Sequence, residues 1–206
     1  PIIGCQIDLQ YVPPRLGERL ANHASIVLLA QSEAGYQNLM KLNSCLYLRE
    51  GSELPHIIMD ELVAHSDDLI CLTGGPEGPL GKLLQSAQRP FAEAILDQLV
   101  GAFSDRLYVE LQRHPSEAGQ PEAERLTERG FIEMAYARDL PLVATNDVYF
   151  PNLKMYESHD ALICISDGAY VDQQEGRRRL TPQHYFKSQA EMVTLFADLP
   201  EAVENT

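Results

Sequence analysis

Two segments of this chain carry side chains that could do chemistry. Tyr-Val-Glu-Leu-Gln-Arg-His ends at His114, and Thr-Asn-Asp-Val-Tyr carries Asp147. A metal-dependent hydrolytic centre needs several His, Asp, Glu or Cys side chains converging on one point, with a coordination position left for water. His114 and Asp147 are donors of that kind, and Asp8 and Glu110 are further candidates. Each also has a plain structural alternative. His114 precedes Pro115 and could cap backbone groups at a turn, and Asp147 could close an Asx turn. Two or three scattered donors fall short of the three protein ligands that a catalytic site ordinarily has.

Other chemistries find less support. The loop Gly74-Gly75-Pro76-Glu77-Gly78-Pro79 has the glycine content of a phosphate cradle but lacks its lysine and hydroxyl, and its prolines remove backbone donors. Turn geometry accounts for it. No serine sits in a G-x-S-x-G elbow, and no cysteine neighbours a basic residue in sequence. Arg177-Arg178-Arg179 is a short basic run in a polar loop, read as a solvated turn or a phosphate contact. His159 falls near a helix start, where a structural hydrogen bond is expected of it. His23, His56, His65 and His184 fall in polar loops or helix ends and carry no spacing signal.

The elements that must position these groups alternate. Strands are predicted at Pro1–Leu9, Ser25–Ala30 (buried), Asp68–Thr73, Arg106–Gln112 and Pro141–Thr145. Between them lie a helix from Ser32 with an apolar stripe of Tyr36, Leu39, Met40, Leu42 and Leu46, and a short helix capped by Asp60. Helical material leads to Phe103, and an amphipathic helix spans Gln120–Asp139; short helices and polar loops follow Leu153. Strand, helix, strand with continuous apolar strands is the pattern of a parallel α/β sheet or barrel. Functional groups in such folds collect at strand carboxyl ends. Those ends are Gln6–Asp8, Gln31, Gly74–Gly75, Gln112–His114 and Asn146–Tyr149.

With 30 acids against 16 bases and a net charge of −14, the chain is poorly suited to grip nucleic acid by itself, because phosphate neutralisation by Lys and Arg dominates such binding. No apolar run is long enough for a membrane span, so a cytoplasmic location is expected. Cys5, Cys45, Cys71 and Cys164 form no close pair. Cys5, Cys71 and Cys164 lie in apolar runs and read as small buried hydrophobes.

The combination of segments resembles the PHP domain of bacterial DNA polymerase III alpha subunits, the replicative catalytic subunits. Pro-Ile-Ile-Gly-Cys-Gln (1–6) is similar to a family segment ending in Gly-Cys-Glu, and Leu-Leu-Ala-Gln-Ser-Glu-Ala-Gly-Tyr-Gln-Asn-Leu (28–39) to its next strand and helix. Leu-Ile-Cys-Leu-Thr-Gly-Gly (69–75), the segment ending at His114, and Leu-Val-Ala-Thr-Asn-Asp-Val-Tyr-Phe (142–150) follow in family order. His-Asp-Ala-Leu-Ile-Cys-Ile (159–165) and the closing segment 196–206 match again, so the resemblance covers essentially the whole chain. Error-prone relatives share the domain, but these segments look more like the replicative type.

The resemblance implies an α/β fold: a distorted TIM-like barrel of mostly parallel strands, incomplete at its amino-terminal end. Residues 1–206 would form a partial PHP domain without the first strand and its His-x-His motif, with 151–206 as its helical and loop part. The opening on a strand and the stop within a helix-like segment fit a piece of a longer protein, and an exposed sheet edge would invite self-association. Metal-binding members place Glu, His and Cys where this chain has Gln6, Ser25 and Gly75. They retain the equivalents of His114 and Asp147, and have His in place of Tyr149. The resemblance therefore implies a degenerate domain without cofactor, with His114 and Asp147 as residual ligand positions. Its implied role is structural, as a docking platform for the proofreading exonuclease (epsilon) subunit within the polymerase III holoenzyme. The alternative is a Zn²⁺- or Mn²⁺-dependent phosphoesterase or 3'-5' exonuclease. The polymerase chemistry itself, with Mg²⁺ and DNA, would belong to domains outside this chain.

Overall fold

Alternation of burial along residues 5–9 and 23–28 makes each part of a strand with one packed and one open face. In the computed structural model, which describes residues 2–12, 22–48, 54–117, 119–173 and 175–206, these are β1 (Gly4–Val12) and β2 (Asn22–Ala30). Ile7, Leu9, Ala24, Ile26 and Leu28 are buried on the packed face. Gln6, Asp8, Ser25 and Val27 line the other. The segment expected to be buried throughout, Ser25–Ala30, is thus buried on one face only. Pro1 lies outside the described residues, and the strand expected from it begins at Gly4.

Helix α1 (Glu33–Leu48) follows, with Ser32 as its cap: the Ser32 hydroxyl accepts the Gly35 amide at 3.1 Å and donates to Asp68 at 2.8 Å. Leu39 and Leu42 face the core, whereas Tyr36 and Met40, expected in the same stripe, are exposed. A two-residue strand, β3 (Ile57–Ile58), leads into α2 (Met59–Ala64). Asp60 is in the first turn of α2 and not at its cap; Glu61 accepts the Ile58 amide at 3.0 Å. Then come β4 (Leu69–Leu72), α3 (Pro79–Gln85), α4 (Arg89–Phe103) and β5 (Leu107–Gln112). They are followed by α5 (Glu122–Tyr136), β6 (Leu142–Thr145), α6 (Tyr156–Asp167), α7 (Gln189–Leu195) and α8 (Pro200–Glu204). Helix α4 buries Ala92, Ile95, Leu96, Leu99 and Phe103, the spacing of one helical face.

The six strands form one open sheet in the order β3-β1-β2-β4-β5-β6. The pairs β1–β3, β4–β5 and β5–β6 are parallel, and β2 is antiparallel to both β1 and β4. Five strands therefore point one way and β2 the other. The fold class is the expected α/β one, mostly parallel, with β2 as the antiparallel member. It matters for the site. Gln31, at the carboxyl end of the reversed β2, lies at the far end of the sheet, while Ser25 at its amino-terminal part joins the other strand ends.

Segment 181–188 runs as a strap beside residues 149–150, just past β6, through an isolated parallel bridge between Phe150 and Tyr185. The Tyr149 amide donates to the His184 carbonyl at 2.9 Å and the Phe186 amide to the Phe150 carbonyl at 3.0 Å. All four cysteines are free thiols; Cys71 and Cys164 are buried, but Cys5 is only half-buried. No helix among the described residues is long and apolar enough to cross a membrane.

Candidate functional site at the strand ends

The chain turns sharply after β4 because Gly74 adopts a φ of 79° and sits where a Cβ would lie 1.9 Å from the Ser25 carbonyl oxygen. Only glycine fits there, so the turn reading of this loop holds. Its backbone amide is drawn to Glu110: the Gly74 N–H donates to Glu110 Oε2 at 3.0 Å. Glu110 Oε1 accepts the Gln112 carboxamide at 3.0 Å and the Thr145 hydroxyl. The Glu110 amide in turn donates to Thr73 Oγ1 at 3.0 Å. One carboxylate, 4% exposed, thereby ties together the ends of β4, β5 and β6.

Beside this hub lies a cavity of about 310 Å³ whose walls include Gln6, Ser25, Glu77, Glu110, Asp147 and Tyr149. Ser25 donates to Asp8 at 2.5 Å, so that carboxylate is engaged as well. At Gly75 a Cβ would lie 2.9 Å from the Gln112 side-chain carbon, so the carboxamide fills the space a larger residue there would need. Burial pushes the Asp147 carboxyl above the usual carboxylate range, against the opposing pull of His114 and the Tyr149 hydroxyl.

His114 is 1% exposed and does not line this cavity. Its backbone amide and Nδ1 both meet the Glu124 carboxylate, at 2.9 and 2.7 Å, which makes Nδ1 the proton-bearing nitrogen. Nε2 is buried without a partner. The ring stacks on His184, centroids 3.8 Å apart and 7° from parallel. Glu124 and His184 are the participants the sequence did not disclose: Glu124 looks like an ordinary first-turn acid of α5, and His184 stands 70 residues from its stacking partner in a polar loop.

The remaining sequence candidates are placed as follows. His23 lies within β2, not in a loop, and stacks on the buried His56 at 4.2 Å. His159 sits in the first turn of α6 against Tyr149 and Phe150, with Nδ1 buried and unbonded, so the expected hydrogen bond is not made by that atom. Arg177 is neither solvated nor free for phosphate: its side chain, 2% exposed, pairs with Asp160 through bonds of 2.7 and 2.8 Å. Among the described residues no three His, Cys, Asp or Glu side chains are grouped so as to hold one ion.

Burial and the neighbouring His114 depress the His184 pKa to about 4. A base depressed in the native state binds fewer protons there than when unfolded. Its stabilising contribution is complete above the unfolded value of 6.5 and is lost as pH falls to about 4. The expected loss across that window is about 3 kcal/mol. Urea unfolding at a series of pH values checks it: the His184→Gln variant should show a shallower decline, and parallel curves for the two proteins would contradict it.

Residues 1–114 match the family model for the PHP domain. The chain is 48% identical over 208 residues to the DNA polymerase III subunit alpha of Caulobacter vibrioides. It is 38% identical over 207 residues to that of Rickettsia bellii, and 36% over 207 to that of Escherichia coli. Each alignment covers 100% of this chain but only 18%, 17% and 17% of the respective relative. The chain thus spans less than one-fifth of the length of the curated relatives it matches.

Proposed function

Because this chain belongs to the PHP domain family, we propose that it acts as a metal-free member, a structural and docking module of a DNA polymerase III alpha subunit. The activity of the parent protein would then be DNA-directed DNA polymerisation in the cytoplasm, with Mg²⁺ and DNA held by domains outside this chain. The partner docked here would be the proofreading exonuclease (epsilon) subunit, within the larger holoenzyme. The names borne by the full-length relatives support the parentage.

The observation that carries the metal-free reading is the spending of donors at the strand ends. Glu110 accepts from three donors and Asp8 is engaged by Ser25, while Glu124 holds the His114 ring through Nδ1 alone. Gln6, Ser25, Gly75 and Tyr149 add no good ligand. The acidic balance suits protein docking better than DNA gripping.

A second reading, a Zn²⁺- or Mn²⁺-dependent phosphoesterase or 3'-5' exonuclease, is favoured by one feature: the buried, unbonded Nε2 of His114. The two readings separate in a nuclease assay of the full-length subunit supplemented with Mn²⁺ or Zn²⁺. The metal-free reading expects no hydrolysis beyond background and no change in His114→Ala or Asp147→Ala. Hydrolysis abolished by either substitution would overturn it.

A further inference from the structure

Lys187 is a buried ammonium, 8% exposed, on the strap beyond β6. It donates to Asn146 Oδ1 at 3.0 Å and to the Gln183 carbonyl, and lies 4.7 Å from the centre of the Tyr185 ring. An ammonium has three donors, so two hydrogen bonds leave one N–H for another acceptor. Among the described residues no carboxylate lies within ion-pair distance of it. Glu191 and Glu124 act on it only from beyond that distance, and its burial is compensated in part.

The same side chain forms part of the wall of a cavity of about 540 Å³ between β6, the strap, α7 and α8. Ala144, Val148, Met192 and Val203 supply its apolar surface, and Phe186, 71% exposed, stands beside Lys187. Although the chain carries 30 acidic residues, none of the residues lining this cavity is one of them. An apolar recess with one buried cation and an exposed aromatic beside it has the features of a binding hot spot.

We propose that this cavity is a docking pocket for a partner polypeptide segment that presents a carboxylate beside an aliphatic side chain. The carboxylate takes the remaining Lys187 donor, and the aliphatic group fills the recess beside Phe186. The proposal rests on the docking reading above and supplies its chemistry: a partner whose acid is recognised by a buried cation of an acidic domain.

The test is a ¹H–¹⁵N titration of the chain with the peptide acetyl-Gly-Leu-Asp-Leu-Gly-amide and its Asp→Asn counterpart. Saturable shifts are expected at Ala144, Val148, Phe186 and Met192, with affinity falling at least about tenfold for the Asn peptide. Lys187→Met keeps the apolar stem and should give a similar loss. Phe186→Ala, at an exposed position, should also weaken binding. Equal binding of the two peptides, or no saturable shifts, would overturn the proposal. So would shifts that track chain concentration without peptide, which would identify a second copy as the occupant. A chain that ignores the peptide yet shows no metal-dependent hydrolysis loses the pocket while keeping the metal-free domain.

Discussion

Replacing Glu110 by alanine is expected to destabilise the domain by about 3 kcal/mol, because three donors lose their common acceptor in a buried setting. The Gly74 amide, the Gln112 carboxamide and the Thr145 hydroxyl all converge on that carboxylate. Leaving a buried donor unpaired costs about 1–3 kcal/mol each, and relief from burying the charge offsets part of the sum. Glu110→Gln keeps one acceptor oxygen and the shape, so it should retain about half the loss. Chemical denaturation measures both, and amide exchange at Gly74 gives a local readout that should accelerate in the alanine variant. Unchanged stability and unchanged Gly74 protection would show that something other than Glu110 holds the strand ends.

Arg113→Ala should cost a similar amount, about 3 kcal/mol, for a different reason. Its guanidinium, 12% exposed, donates to Glu128 at 2.7 and 3.1 Å, to Asp198 at 2.6 and 2.9 Å and to the Leu195 carbonyl at 2.9 Å. It also lies 4.6 Å from the centre of the fully buried Phe196 ring. One side chain therefore fastens the carboxyl end of β5 to α5 and to the α7–α8 turn. Asp198 is largely exposed, so most of the loss comes from the stranded Glu128 and the uncovered ring, not from the outer pair. Arg113→Lys keeps the charge but not the fork, and is expected to recover less than half. Full recovery by lysine would mean that charge alone, not the bidentate geometry, does the fastening.

Much of the scaffold is legible from residues. The strands around Ile70 and Val143 are continuous apolar runs bounded by turns, the one around Val109 alternates, and α4 and α5 repeat apolar positions at helical spacing. The direction of β2 is not legible, since an apolar run reads the same whichever way it is threaded; only pairing with β1 and β4 decides it. β3 is two residues long and leaves no periodicity at all. At the site, Gln6, Ser25, Asp147 and Tyr149 are brought to one cavity by strands distant in sequence. His114 is held beside that cavity by Glu124, a contact that depends on how α5 packs against β5. The same limit hid the Arg177–Asp160 pair: a basic run looks solvated until a helix brings an acid to it.

Glu110 and its donors hold the strand ends, and the proposed role requires that these ends bind no metal. Elemental analysis of the full-length subunit, purified without chelator and dialysed against Zn²⁺ or Mn²⁺ and then metal-free buffer, addresses it most directly. Metal far below one equivalent, unchanged in His114→Ala and Asp147→Ala, is expected. One or more equivalents retained by the wild type and lost in either variant would contradict it.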